Sequence, residues 1–223
     1  MRIVSTTLTT LLLLASSFSF TAQSKDYNAE ELTSKYKAEI EQIAPDSSPY
    51  DIVESLSKVV FKSVTNAKAQ GDEKTTKELM QLIVRQQLLP FVDVRFAAYK
   101  ILGPQLKQST KEERDLFVDA MERNLVDTYS SALVQYNNQE VRYEPKRDVS
   151  NQKMVAVRTE LLQPGGKPLS MIFKLRKNSK TGEWKAYDLI VEGISLIDSK
   201  RAELSQPLRN DGIGQVAETL LEE

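Results

Sequence analysis

Asp188 and Glu192 are the carboxylates whose spacing comes nearest to acid–base chemistry. With Ile190 between them, they share one face of an extended segment. Such a pair supports proton transfer when it is buried in a cleft. At a solvated strand end, or with Arg201 as a partner, it is ordinary surface charge, and that reading is preferred here. Gly165-Gly166-Lys167 has the composition of a phosphate loop, but it lacks the spacing and joins two strands rather than a strand to a helix. Gly212-Ile213-Gly214 is weaker still as a dinucleotide motif. The chain has no cysteine and no histidine. That excludes a Cys nucleophile, a Ser-His-Asp triad, a His- or Cys-ligated zinc site and any disulfide. The remaining carboxylates are scattered along helix faces, so no metal cluster is expected.

With no catalytic group singled out, the elements themselves become informative. The chain has 223 residues, 40% hydrophobic and 27% charged, with Lys plus Arg at 30 against Asp plus Glu at 31. This balance does not suggest a nucleic-acid binder. Residues 1–24 have the three parts of a secretory signal: Arg2, an apolar centre from Leu8 to Ala15, and small residues before a cut after Ala22 or Ser24. The apolar centre is too short to span a membrane, which takes about 20 residues. A single domain over residues 25–223 is expected to follow.

Its first half reads as helices. Leu32, Tyr36, Ile40 and Ile43 have helical spacing, and Pro45 ends that segment. Pro49 opens a second helix, apolar at Ile52, Val53, Leu56, Val59, Val60 and Val64, which Gly71-Asp72 ends. A third runs from Glu73 to Leu89, with Leu79, Leu82, Ile83 and Gln86 on one side. A fourth runs from Phe91 to Leu102, stopped by Gly103-Pro104. Thr110 and Glu113 have capping-box spacing and start the longest helix. Its stripe runs from Phe117 through Met121, Leu125 and Tyr129 to Tyr136.

From Val141 onward the period changes to two. Three hairpin-linked strands follow a first short one, with turns at Pro164–Lys167 and Ser179–Gly182. The last, Trp184–Val191, stops at Gly193, and a polar helix follows from Asp198 to about Arg209. The fold class is therefore α+β: helices on one face of an antiparallel sheet of about four strands, with a further helix at the C-terminus. One sheet face is strongly apolar: Val141, Tyr143, Val155, Val157, Leu161, Leu169, Met171, Phe173, Leu175, Tyr187, Leu189 and Val191. Trp184, Ala186, Asp188 and Ile190 are expected on the other. Periodicity does not distinguish a filled interior from a hollow one.

The run Trp184-Lys185-Ala186-Tyr187-Asp188, then Val191-Glu192-Gly193-Ile194-Ser195-Leu196, with Arg201 beyond, resembles the C-terminal signature of the MlaC or toluene-tolerance family. Leu89-Pro90-Phe91-Val92-Asp93, Leu102-Gly103 and the helix start at Thr110 resemble that family's middle. The chain departs from the pattern at Asp198-Ser199-Lys200, where members often carry an aromatic residue. The resemblance implies a soluble periplasmic carrier that moves phospholipids between the outer and inner membranes. It implies no catalytic residue and no cofactor, the phospholipid being cargo. Two docking partners come with it: an outer-membrane lipoprotein–porin complex, and an inner-membrane ABC transporter with a ring-shaped lipid-binding subunit. The apolar sheet face, without Leu175 and with Tyr129 added, is then the expected acyl-chain lining. A cavity for two chains is expected at about 1,000 Å³ or more, the upper end of ordinary pockets. An exported adaptor with a solid core and a cavity enzyme of cone-shaped α+β type are the rival readings.

Overall fold

The computed structural model describes residues 29–70 and 72–222, so the expected export segment and Gly71 lie outside it. Helix α1 (Ala29–Glu41) buries Tyr36 fully, whereas the side chain of Leu32 is outside the described part. Helix α2 (Pro49–Lys68) starts where Ser48 accepts a hydrogen bond from the Asp51 N–H and Pro49 fills a position whose N–H has no helical partner. Helix α3 (Glu73–Ile83) is capped by Asp72 in the same way.

The expected single helix to Leu89 is not what forms. At Val84 the backbone loosens into a π turn, Val84–Leu88, followed by a 3₁₀ turn, Leu89–Phe91. Pro90 has no N–H to give, so the helical hydrogen-bond ladder cannot continue through it, while Leu89 itself keeps helical dihedrals. The buried face is Leu79, Met80, Ile83, Val84 and Gln87, and Gln86 is exposed. The next helix starts later than Phe91. Val92 is extended and bridges Ala186 in the sheet, and the Asp93 N–H donates to the Ala186 carbonyl at 2.7 Å. Asp93 then caps helix α4 (Val94–Leu102). The capping box forms at Thr110 and Glu113 and opens α5 (Lys111–Val134).

The sheet has five antiparallel strands in sequence order: β1 (Val141–Tyr143), β2 (Met154–Leu161), β3 (Leu169–Lys177), β4 (Trp184–Val191) and β5 (Ile194–Ser195). The fifth strand is the addition to the expected count. It is two residues long, too short for alternation to be read. It folds back because Glu192 and Gly193 both hold positive φ, 49° and 82°, the geometry of a tight two-residue hairpin turn. Helices α6 (Leu196–Asn210) and α7 (Gly212–Glu222) follow. Among the described residues, no helix is long and apolar enough to cross a membrane.

Register places Val155 opposite Leu175, Val157 opposite Phe173, and Phe173 opposite Leu189, so these do share one face. Between Lys174 and Leu175 the pairing slips: Lys174 faces Asp188, but Leu175 faces Ala186. Tyr187 is the extra residue of a bulge. Beyond it the parity reverses, and Trp184 and Ala186 join the cluster of Val155, Val157 and Leu175 instead of facing away.

Three apolar clusters hold the molecule together. One joins α4, α5, α6 and α7. A second joins α1, α2 and α3 to the end of α5. The third packs Tyr50, Ile52 and Val53 of α2 on the sheet.

Candidate functional site

Where these clusters meet, packing is incomplete. The start of α2 is seated on the sheet, but its next residues Leu56, Ser57, Val60 and Phe61 face a cavity of about 200 Å³. The sheet contributes Phe173, Leu175, Ala186 and Leu189. The turns after α3 contribute Leu88, Phe91 and Val92, and α5 contributes Tyr129, Ala132 and Leu133. The only polar side chains on this surface are Ser57, Tyr129, Tyr187 and Asp188. Ser57 donates to the Val53 carbonyl within its own helix. Burial, with the Asp188 charge adding to it, pushes the Tyr129 hydroxyl up to about 12. Burial raises Tyr187 as well, and its ring packs edge-on against Phe96 of α4 at 5.1 Å.

Asp188 is committed elsewhere. Its carboxylate accepts from Ser195 Oγ at 2.8 Å, from the Ile197 N–H at 3.2 Å and from Lys174 Nζ at 3.1 Å. It therefore secures the first turn of α6, where a negative charge is favoured. Arg201 is not its partner; the guanidinium holds the Lys100 carbonyl at the end of α4. Glu192 lies in the exposed hairpin turn and accepts from the Ser170 N–H. The two carboxylates do not converge on one site. Among the described residues, no group of three or more acidic, His or Cys side chains is placed to hold a metal ion.

Of the twelve residues expected to line an interior, Phe173, Tyr187, Leu189 and Tyr129 do line this cavity. Val155 and Val157 lie in solid packing under the start of α2, with Tyr143 at its edge. Val141, Leu161, Leu169, Met171 and Val191 are half-buried on the rest of the sheet and outside the lining. Alternation identifies a face and says nothing about position along it, which explains this division. The residues missed are those of α2, of the Leu88–Val92 turns, of α5 at Ala132 and Leu133, and on the sheet Leu175, Ala186 and Asp188. The helical stripes contained Leu56, Val60 and Leu133, read as core. The cavity is also far smaller than the expected 1,000 Å³, because the helices close down on the sheet.

The MlaC protein family model matches residues 54–222. The chain is 29% identical over 154 residues to the intermembrane phospholipid transport system binding protein MlaC of Haemophilus influenzae, covering 69% of this chain and 71% of that one. It is 24% identical over 173 residues to the toluene tolerance protein ttg2D of Pseudomonas putida, covering 74% and 75%. Its fold matches that of a phospholipid-binding protein from Ralstonia solanacearum, solved in complex with a phospholipid. The TM-score is 0.67 at 21% identity, over 79% of this chain and 96% of that one.

Proposed function

The chain belongs to the MlaC family, and from that membership we propose that it is a soluble periplasmic carrier moving phospholipids between the outer and inner membranes. The observation that carries this reading is the cavity between α2, α5 and the sheet, apolar on every wall but for four side chains. A phospholipid leaving a bilayer exposes two acyl chains. Each methylene removed from water gains about 0.8 kcal/mol, so the pair amounts to roughly 20 kcal/mol or more against bare water. An enclosed apolar space answers that requirement, and a polar lining does not. The named relatives, an intermembrane phospholipid transport binding protein among them, support the same cargo.

At about 200 Å³ the cavity is below the roughly 300–1,000 Å³ of ordinary ligand pockets. Loading a diacyl lipid therefore requires the helices to move off the sheet. The Leu88–Val92 segment, which lines the cavity between the π turn and α4, is the place we assign to this motion, since the regular helix is already broken there at Pro90.

We read the protein as a binder and not an enzyme. Asp188, the acid nearest the cavity, is occupied by three donors, and Tyr129 at about 12 is no base at neutral pH. Its docking partners on this reading are an outer-membrane lipoprotein–porin complex and an inner-membrane ABC transporter with a ring-shaped lipid-binding subunit. Solvent extraction of protein purified without detergent is the direct test. Phospholipid recovered in fixed proportion to protein supports the carrier, and an extract free of phospholipid sinks it.

A further inference from the structure

The lysines of this protein are not used alike. Several on helices meet a carboxylate, as Lys58 does at Glu54 and Lys111 at Asp115. Lys153, Lys177, Lys180 and Lys185 form no ion pair among the described residues, and they lie together at one end of the sheet. The Lys177 N–H donates to the Lys153 carbonyl at 2.9 Å, Lys177 pairs with Trp184, and Lys185 is the next residue of β4. The backbones of these three lysines thus fall within about 10 Å, two strand spacings. Lys180 is in the turn that joins β3 to β4. Lys185 also stands opposite Arg176, a like-charge pairing that costs a sheet stability; Asp93 neutralises the arginine and not the lysine. The acids closest in sequence, Asp148 and Glu183, accept from the Ser150 N–H and from Thr181 Oγ instead. Beside the lysines Met154, at the start of β2, is 53% exposed.

At the other end of the sheet the balance tips the other way: Glu140, Glu160 and Glu192 lie there with Lys167 and with Arg142, itself paired to Glu160. The chain as a whole has a formal charge of −1, so attraction to an anionic partner is confined to the lysine end. A Debye length of about 8–10 Å lets a surface sense the charges nearest it rather than the total. The residue types favour one kind of partner. Protein interfaces are rich in aromatic residues and Arg and poor in Lys. A hydrated ammonium on a flexible stem suits a fluid array of phosphates. Met154 supplies an apolar side chain that can enter a headgroup layer while the lysine stems snorkel around it.

We infer that this end of the sheet, with Lys153, Met154, Lys177, Lys180 and Lys185, is a docking surface for a bilayer that contains acidic phospholipid. It is separate from the cavity, since Val155 and Trp184 lie behind it in solid packing. Each lysine close to such a bilayer strengthens binding by about fivefold. Four of them give a reversible hold that salt loosens.

The experiment is co-sedimentation with vesicles of palmitoyl-oleoyl phosphatidylcholine, alone or mixed equally with palmitoyl-oleoyl phosphatidylglycerol, at about 50 and about 300 mM salt. Wild-type protein is expected on the mixed vesicles at low salt, to leave them at high salt, and to stay off phosphatidylcholine. Lys153→Gln/Lys180→Gln/Lys185→Gln is expected to bind the mixed vesicles more weakly by about tenfold or more. Lys77→Gln/Lys107→Gln/Lys167→Gln makes the same change of net charge at exposed lysines elsewhere. It is expected to bind within about twofold of wild type, since those charges lie beyond screening distance of the docked bilayer. Circular dichroism and extracted phospholipid, measured on the same samples, are expected to be unchanged in both variants. Equal loss in the two variants means that net charge acts without a docking surface, and overturns the inference. Undiminished binding by the first variant, or equal binding of wild type to both kinds of vesicle, overturns it as well. Wild-type protein that stays off the mixed vesicles also overturns it, and points to an acidic protein face as the partner of the lysines. The carrier reading is decided separately, by the extracted phospholipid.

Discussion

Lys174 and Asp188 face each other across β3 and β4, with Nζ 3.1 Å from Oδ2, and only the lysine reaches solvent: its side chain is 32% exposed against 3% for the aspartate. The buried carboxylate also holds Ser195 Oγ and the Ile197 N–H, so one group joins the centre of the sheet to the start of α6. Asp188→Ala is expected to cost about 1–3 kcal/mol by leaving these donors unpaired. Lys174→Met is expected to cost less, because two of the three hydrogen bonds remain. Urea melts of the two variants check this order. Equal stability of Asp188→Ala and wild type would refute the role given to the carboxylate.

Tyr129 gives a pH prediction. Its folded-state pKa of about 12 lies above the ordinary 10, so between those values the folded protein binds more protons than the unfolded chain. The stability this group contributes is complete below pH 10 and is lost as pH rises through about 12. Tyr129→Phe is therefore expected to flatten the alkaline decline in stability over that window and to change little at neutral pH. Thermal melts at stepped pH measure it, and parallel curves for the two proteins would contradict the assignment.

Gln87 sits in the π turn, 3% exposed, and its side-chain oxygen has no hydrogen-bond partner among the described residues. Gln87→Met keeps the shape and removes the unpaired acceptor. The variant is expected to be more stable by about 1 kcal/mol, a rise of roughly 2–4 °C in Tm. A lowered Tm would mean that the oxygen is paired in solution.

The division of the sheet face between solid core and cavity makes a further prediction. Leu189→Asp puts a carboxylate into the cavity, where there is space for it, and is expected to leave folded, lipid-free protein. Val157→Asp puts one where Val157 is 2% exposed in close packing, and is expected not to fold. Arg158→Ala on the opposite face is expected to load as wild type does. Circular dichroism and lipid content on the same samples decide among these outcomes. Folded, fully loaded Leu189→Asp would place the cargo elsewhere.

Much of this arrangement was legible in the residues. The Thr110–Glu113 capping box, the limits of the Trp184–Val191 strand and the alternation of β2 and β3 are local, and local patterns survive folding. The bulge at Tyr187 is not local: it arises from how β4 meets β3 and α4, and it moved Trp184 and Ala186 to the face opposite the one alternation assigned. The π turn at Val84 was hidden for the same reason, since one extra residue per turn leaves no mark on composition. The cavity was legible as an apolar face, and its boundaries were not. Val157 and Leu189 are alike in sequence terms, and only the placement of α2 makes one core and the other lining.

Native mass spectrometry of the protein, purified without detergent, tests the central claim most directly. A carrier shows a mass above that of the polypeptide by one diacylphospholipid or a small whole number of them, and denaturation removes the increment. Native and denatured masses that agree across several gentle preparations would contradict the claim, whatever the fold.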